Sequence, residues 1–204
     1  MNFTKKFAKK IYRFSIIIFV IILTSCAGQV KERTAGDPLQ AKAGNKQTEL
    51  ANRFERALAH QNNGEYVQAE VIYKSLVAED ETLISPVVNL GIIAVIKDEF
   101  SDAIKYFEKV VELDPNHKLS LNYLGYIARD SGEFDQAEAH YRKILEIDLN
   151  DQLAIRNLGI LLDLYRGRLE EALVLYERYQ SLQGEPDPKV KDWIFDTKNR
   201  LKAK

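Results

Sequence analysis

Residues with nucleophilic or metal-binding side chains are few and widely spaced. The chain has one cysteine, Cys26, and three histidines, His60, His117 and His140. A single thiol cannot form an internal disulfide, and these four residues lack the close spacing of a zinc-ligand set. The sequence also has no glycine-rich phosphate loop, no H-E-x-x-H motif and no recognisable serine-histidine-aspartate arrangement. It therefore favours a protein that is not an enzyme and that uses no metal or cofactor.

Cys26 follows a segment with the layout of an export signal. Residues 14–23 form an apolar run of ten residues, whereas a membrane-spanning helix needs about 20. A short run behind a basic segment is typical of a cleaved signal peptide, predicted here as residues 1–25. The alternative is an uncleaved anchor with an incidental cysteine. The basic residues before the run, with no acidic residue among them, are Lys5, Lys6, Lys9, Lys10 and Arg13.

The four residues that end at Cys26, "LTSC", resemble the lipobox of bacterial lipoproteins. The resemblance implies cleavage between Ser25 and Cys26 and a diacylglycerol group on the Cys26 thiol. Each buried methylene contributes roughly 0.8 kcal/mol, so two or three acyl chains hold a protein on a membrane. Ala27 stands where an aspartate usually means retention in the inner membrane of Gram-negative bacteria. The resemblance therefore implies a lipid-anchored outer-membrane protein that faces the periplasm.

Removal of the predicted signal changes the charge balance. Five of the 29 basic residues and none of the 30 acidic residues lie in residues 1–25, which leaves 24 against 30, a formal charge of −6. Phosphate backbones are bound by clustered Lys and Arg, so an acidic chain is a poor candidate for nucleic acid. Residues 26–48 have no apolar periodicity and contain helix breakers, which predicts a flexible tether between lipid and domain.

Three classes of residue recur about every 34 positions in the rest of the chain. Such a period over four units is typical of stacked structural repeats. The first small residue of each unit is Ala57, Gly91, Gly125 or Gly159; a second small residue follows at Ala69, Ala103, Ala137 and Ala172, and an aromatic residue at Tyr73, Phe107, Tyr141 and Tyr176.

This pattern, with its Leu-Gly pairs, resembles the tetratricopeptide repeat, a helix-turn-helix unit of 34 residues. The resemblance implies an all-α, right-handed superhelical solenoid of about four repeats over residues 49–186, at about 50–83, 84–117, 118–151 and 152–186. The glycines let paired helices approach, and the aromatic residues fill the space between them. Gly64 and Gly132 are expected to have positive φ in the turns, and Asp114 to cap the following helix.

Two repeats depart from the family pattern. Repeat one has Arg53, Arg56 and His60 where its neighbours have apolar residues, which puts its first helix in doubt. Repeat four has one extra residue in "LYRGRLEEA", which predicts a longer turn. Residues 187–204 place apolar side chains on one helical face, which suits a C-terminal capping helix with Trp193 as a core residue rather than a ligand platform.

Function is expected on the concave face of the solenoid, which first helices line in this family. The resemblance places a protein-binding or peptide-binding groove at Val88, Ile92, Val95, Asn122, Tyr126, Arg129, Arg156, Ile160 and Asp163. Alternatively, Ile92 and Ile160 only complete the core, since apolar residues at helical spacing are more often core than site.

The predicted function is an adaptor that binds protein partners of the cell envelope in this groove and assists an assembly or transport complex. A structural module that self-associates as a homodimer, with Val88, Ile92 and Val95 in the contact, is the alternative from another class. An enzyme is the third and least supported possibility.

Overall fold

The computed structural model describes the backbone of residues 38–203 and the side chains of residues 45–203. In this part of the chain every element is helical and none is long and apolar enough to span a membrane. The predicted signal segment, Cys26 and residues 27–37 lie outside the described residues. The helices are α1 (Pro38–Asn62), α2 (Tyr66–Glu79), α3 (Ile84–Ile96), α4 (Phe100–Leu113), α5 (Lys118–Asp130), α6 (Phe134–Ile147), α7 (Gln152–Ile160, continued by a π-helical turn, Leu161–Tyr165), α8 (Leu169–Ser181) and α9 (Pro188–Lys202).

The helices form consecutive pairs, and from α2 onward each packs against its neighbours along the chain. In each pair a first helix (α1, α3, α5, α7) is joined by a three-residue turn to a second helix (α2, α4, α6, α8). The predicted all-α architecture of stacked helix pairs followed by a terminal helix is thus confirmed. Such a stack is held together by contacts between neighbouring repeats rather than by one central core.

Each glycine of the 34-residue period lies against the aromatic ring of its own repeat. A Cβ atom added at Gly125 would lie 2.7 Å from Cε1 of Tyr141, and one added at Gly159 would lie 2.8 Å from Cε1 of Tyr176. The same relation joins Gly91 to Phe107. These rings are almost completely buried, so no space is left for a methyl group. The missing side chain is what lets the two helices of a repeat approach.

The turns within the repeats use a left-handed backbone position. Gly64 and Gly132 have positive φ, as predicted, and Gly167 has the same conformation in repeat four. Asp98 takes this position in repeat two with φ 59°, a conformation that aspartate tolerates better than most residues.

The extra residue of repeat four lies in a helix and not in the turn. The expectation of a longer turn is wrong, since Arg166, Gly167 and Arg168 form a three-residue connection like those of repeats two and three. The last turn of the first helix instead widens into the π-helical turn, where the Arg166 N–H donates to the Leu161 carbonyl over 3.1 Å. A π-turn accommodates one additional residue without breaking the helix.

Helix α1 begins at Pro38, which is earlier than the sequence indicated. Residues 38–48 were expected to belong to the tether, but proline is well suited to the first turn of a helix because it needs no N–H partner there. The doubtful part of repeat one is also helical. Ala57 is fully buried, and the centres of the Phe54 and Tyr73 rings are 5.6 Å apart. Arg53, which stands at an apolar position of the period, turns outward and forms an ion pair with Glu79 at 2.6 Å.

Side chains cap the starts of α5, α7 and α9. Asp114 does not cap α5, contrary to expectation, because its carboxylate accepts from the Asn116 N–H within the preceding turn. The cap is His117, whose Nδ1 accepts from the Ser120 N–H at 3.3 Å. Asp187 caps α9 in the same way, and Pro188 fills its first turn.

Helix α9 docks on repeat four through the face that the sequence indicated. Val190 and Thr197 are fully buried, and Trp193 and Ile194 pack against the core of repeats three and four. The centres of the Trp193 and Tyr176 rings are 5.4 Å apart. The helix therefore covers apolar surface at the end of the stack that would otherwise face water.

Candidate functional site

The nine predicted groove residues lie on three successive first helices, but they differ in exposure. Val88 is 6% exposed and belongs to a core cluster with Val87 and Val110, so it is a packing residue. Asp163 is 5% exposed. The other seven are half-buried, which leaves part of each side chain open to solvent: Ile92, Val95, Asn122, Tyr126, Arg129, Arg156 and Ile160.

Sequence reasoning missed four apolar residues on the same helices. They lie three or four positions from predicted residues, so they share the same helical face. The spacing in the sequence could have identified them, since Leu119 and Leu153 are one period apart and Ile96 and Leu164 are two periods apart. Their exposed fractions are Ile96 48%, Leu119 41%, Leu153 42% and Leu164 65%. Together with the seven half-buried residues they are called the first-helix face below.

Each half-buried isoleucine has one part of its side chain packed against the core and another part exposed to solvent. Ile92 and Val95 pack against the core of repeats two and three, and Ile160 packs against that of repeats three and four. The alternative that these residues complete the core is therefore correct for part of each side chain. Exposed Ile96 and Leu164, one turn further along the same helices, have no comparable burial. Apolar surface thus extends beyond what packing alone requires.

Asn122 links two first helices across a repeat boundary. The Asn157 amide on α7 donates a hydrogen bond to the Asn122 side-chain oxygen on α5 at 2.8 Å. Both asparagines are half-buried. Asn122 therefore helps to fix the spacing of the first-helix face and is only partly available to a ligand.

Tyr126 and Arg129 form the polar centre of the face. The Arg129 guanidinium lies 5.6 Å from the centre of the Tyr126 ring, a distance suited to cation–π attraction. Within residues 45–203, no ion pair includes Arg129 or Arg156. Five other arginines in this range do form ion pairs with carboxylates: Arg53, Arg142, Arg166, Arg168 and Arg200. The first-helix face thus carries two cations without an anionic partner in the described structure.

Asp163 is held by the C-terminal helix and does not line an open groove. Its carboxylate accepts from Arg200 on α9 at 2.5 Å and from the Tyr176 hydroxyl at 3.3 Å. The Thr197 hydroxyl lies 3.4 Å from the carboxylate and donates to the Trp193 carbonyl at 2.7 Å. The bond to Asp163 raises the pKa of Arg200, while burial and the nearby carboxylate raise the pKa of Tyr176. The prediction placed Asp163 in the groove, whereas the structure has it almost completely buried and bonded to α9. No pattern in the sequence indicated that α9 would cover it.

The histidines do not come together. His60 pairs with Glu65, His117 caps α5, and His140 is half-buried on α6, where burial lowers its pKa. In the part of the chain that the structure describes, no group of three or more His, Cys, Asp or Glu residues is placed to hold a metal ion.

An open apolar cleft of about 230 Å³ lies between α1, the end of α2 and the start of α3. It is separate from the first-helix face, since it shares no residue with it. Its apolar lining consists of Leu50, Ala51, Phe54, Leu76, Leu83, Ile84 and Pro86.

Comparison with known proteins identifies the fold. Residues 88–152 match the model of the tetratricopeptide repeat family, and no curated protein matches the chain by sequence. MamA from Desulfovibrio magneticus RS-1 superposes with a TM-score of 0.67 at 18% identity, over 75% of this chain and 85% of that one. A further MamA structure, from MSR-1, gives a TM-score of 0.60 at 20% identity, over 75% and 87%. At these identities the likeness concerns the fold. The described chain has the stacked helix-pair fold of tetratricopeptide-repeat proteins, and residues 88–152 carry the sequence pattern of that family.

Proposed function

We propose that this protein is an adaptor that binds a segment of a partner protein on its first-helix face. The observation that carries the proposal is the row of exposed apolar side chains on three neighbouring first helices: Ile96 on α3, Leu119 on α5, and Leu153 and Leu164 on α7 and its π-turn. Leu119 and Leu153 occupy equivalent positions of neighbouring repeats and therefore lie side by side, whereas Ile96 and Leu164 are two repeats apart, at the other ends of their helices, with Asp130 at the equivalent position of repeat three. Contiguous exposed apolar surface marks interaction sites in soluble domains.

The composition of the surface favours a protein ligand over a small molecule. Half-buried Ile92, Tyr126 and Ile160 lie on the same three first helices as these exposed residues, and an apolar set next to an aromatic residue and an arginine is the usual make-up of a protein-binding hot spot. Arg129 and Arg156 orient the bound segment and select for its charge more than they increase the affinity. The open, many-helix shape of such a surface suits an extended or helical segment.

The proposed cellular setting rests on the sequence before residue 38. A basic segment, a short apolar run and "LTSC" support lipidation of Cys26 and attachment to the outer membrane, with the repeats in the periplasm. The adaptor would then hold its partner near that membrane, in an envelope assembly or transport complex.

Cys26→Ser tests the anchor. Because lipidation needs the Cys26 thiol, the variant is expected to lose labelling by a palmitate analogue and to accumulate as an unprocessed or soluble form. Ser25→Ala, which keeps a small residue before the cysteine, is the matched control and should still be labelled. A mature-sized Cys26→Ser product that remains on the membrane would contradict the lipoprotein assignment.

The double variant Tyr126→Ala/Arg129→Glu tests binding by the first-helix face. It removes the aromatic anchor and reverses one free charge, so at least a ten-fold loss of partner capture from solubilised membranes is expected, with helicity and melting nearly unchanged. The matched control is Val71→Ala/Lys74→Glu, which makes the same kind of changes in size and charge three residues apart on the exposed side of α2. Equal capture by both variants would contradict the proposal.

The second candidate is self-association through the same face. Exposed Ile96 and Leu164 would also suit contact with a second copy of the chain. Sedimentation of the detergent-solubilised full chain separates the two functions. A monomer mass supports the adaptor, while a dimer that Tyr126→Ala/Arg129→Glu dissociates supports self-association.

A further inference from the structure

The exposed side of α9 carries a row of basic residues around one aromatic ring. The opposite side of the helix, with Val190 and Thr197, is buried against repeat four. The four residues of the row are three or four positions apart, so they fall within an arc of about 60° on one helical face. They are Lys191, Phe195, Lys198 and Lys202, called the lysine stripe below.

The stripe presents both apolar surface and available charge. Phe195 is 70% exposed, more than any other large apolar side chain of residues 45–203. Within the same range no ion pair includes Lys191 or Lys202. Lys198 pairs with Glu177 at 2.7 Å, and its side chain is still 48% exposed. The ring and the three ammonium groups can therefore all reach a ligand from solvent.

Charge is divided unevenly between the repeats and α9. Residues 49–186 contain 25 acidic and 14 basic side chains, a formal charge of −11, whereas residues 187–204 contain three acidic and six basic ones, a formal charge of +3. Asp192 and Asp196 lie on α9 but outside the arc of the stripe, and Asp196 faces Arg200 at 3.4 Å. An anionic surface would therefore attract α9 and repel the repeats, which orients the domain.

The shape of the stripe suits a plane of anionic headgroups better than an acidic protein. Lys191 and Lys202 are about 16 Å apart along the helix, so the charges are spread over a ridge and are not gathered around a pocket. Lysine stems are long and flexible, so each ammonium can meet a separate phosphate while the ring between them enters the apolar boundary. Carboxylates of a protein partner are more often bound by the planar guanidinium of arginine, and the stripe contains none.

We infer that the lysine stripe is a docking surface for anionic phospholipids. It shares no residue with the first-helix face, and its role does not depend on what that face binds. Each lysine near an anionic membrane favours docking by roughly five-fold, which is weak alone but effective in a chain that is already attached to the bilayer. Because Arg200 of α9 bonds to Asp163 of repeat four, docking would hold the repeats in one orientation to the membrane.

Energy transfer from Trp193 to the membrane surface tests this docking. Trp193 is the only tryptophan of the chain and lies on α9, so its fluorescence reports the position of this helix. The full chain is reconstituted into phosphatidylcholine vesicles with or without an equal part of phosphatidylglycerol, each with a dansyl-labelled lipid headgroup as acceptor. Transfer is expected to be higher in the phosphatidylglycerol vesicles and to fall at high salt, which screens exposed charges.

Two variants assign the preference to the stripe. Lys191→Gln/Lys202→Gln removes two unpaired charges and should lower the ratio of docked to undocked protein about 25-fold, so that the difference between the vesicles nearly disappears. Phe195→Ala should lower the ratio roughly ten-fold, because the ring no longer enters the apolar boundary. All three side chains are exposed, so circular-dichroism melts should be unchanged.

The matched controls make the same changes elsewhere on the surface. Lys105→Gln/Lys143→Gln removes two exposed lysines from α4 and α6, and Val174→Ala shortens an exposed apolar side chain of α8. Both controls should keep the full difference between the two kinds of vesicle.

Equal transfer in the two vesicles, or a difference that survives Lys191→Gln/Lys202→Gln, would overturn the inference. If transfer is equal and that variant loses capture of a protein partner, the stripe binds an acidic protein and not a membrane. Tyr126→Ala/Arg129→Glu leaves the stripe intact, so failure of the proposed function is recognised separately from failure of membrane docking.

Discussion

Gly125→Val is expected to destabilise the fold by about 3 kcal/mol, the upper end of the usual cost of overpacking a core. The added Cβ alone would lie 2.7 Å from Cε1 and 3.0 Å from Cζ of Tyr141. The ring is fully buried and cannot move away without displacing the neighbouring helices. The gain in helix propensity from replacing glycine is below about 1 kcal/mol and does not offset the clash. Urea unfolding followed by circular dichroism measures the loss.

Gly184→Val is the matched control for this prediction. Gly184 does not have positive φ, and a Cβ atom added there would have no atom within 4 Å apart from those of its chain neighbours. The same substitution at this position should change the free energy of unfolding by less than about 0.5 kcal/mol. If both variants unfold at the same urea concentration, the close approach of α5 and α6 is not what holds repeat three together.

Trp193→Ala is expected to cost about 2–4 kcal/mol and to release α9 before the repeats unfold. The ring packs on Tyr176 and on the core of repeats three and four, but it is only half-buried, so the cost is below that of a fully enclosed tryptophan. Loss of α9 would also remove Thr197 and Arg200 from buried Asp163. That carboxylate would then keep the Tyr176 hydroxyl alone as a donor, which adds to the loss.

Limited trypsin digestion together with urea unfolding measures this effect. The exposed lysines of α9 should become cleavable in Trp193→Ala under conditions where repeats two and three stay protected, since solenoid stability is a sum of local terms. Trp193→Phe keeps an apolar ring at this position and should lose less than half as much stability. An unchanged digestion pattern in Trp193→Ala would mean that Trp193 does not fasten α9.

The repeat architecture was predictable because its determinants lie at fixed spacings in the sequence. A glycine and an aromatic residue 16 positions later in repeats two and three specify where two helices touch, and the structure brings Gly91 to Phe107 and Gly125 to Tyr141. The face of α9 was predictable for the same reason, since Val190, Trp193 and Thr197 repeat with helical spacing. Local patterns such as these require no knowledge of distant contacts.

The remaining features depend on contacts between parts of the chain that have no common pattern. The extra residue of repeat four fits equally well into a turn or a helix, and only packing of Leu161 and Leu162 into the core selects the π-turn. The burial of Asp163 depends on Arg200, 37 residues away. Whether the Tyr141 hydroxyl has a hydrogen-bond partner depends on the side chains around it, and none of them provides one. Periodicity therefore predicted the helices that carry the first-helix face and seven of its residues, but not its four exposed apolar residues or the burial of each side chain.

Site-specific photocrosslinking in intact cells tests the central claim that the first-helix face binds a protein partner. A photoreactive phenylalanine analogue replaces Leu153 or Leu164 on this face, or the exposed Val67 or Val174 on second helices. The account predicts a discrete adduct with another protein from Leu153 and Leu164, its loss in Tyr126→Ala/Arg129→Glu, and no adduct from Val67 or Val174. Adducts that form only from the second helices, or that persist unchanged in the double variant, would contradict it.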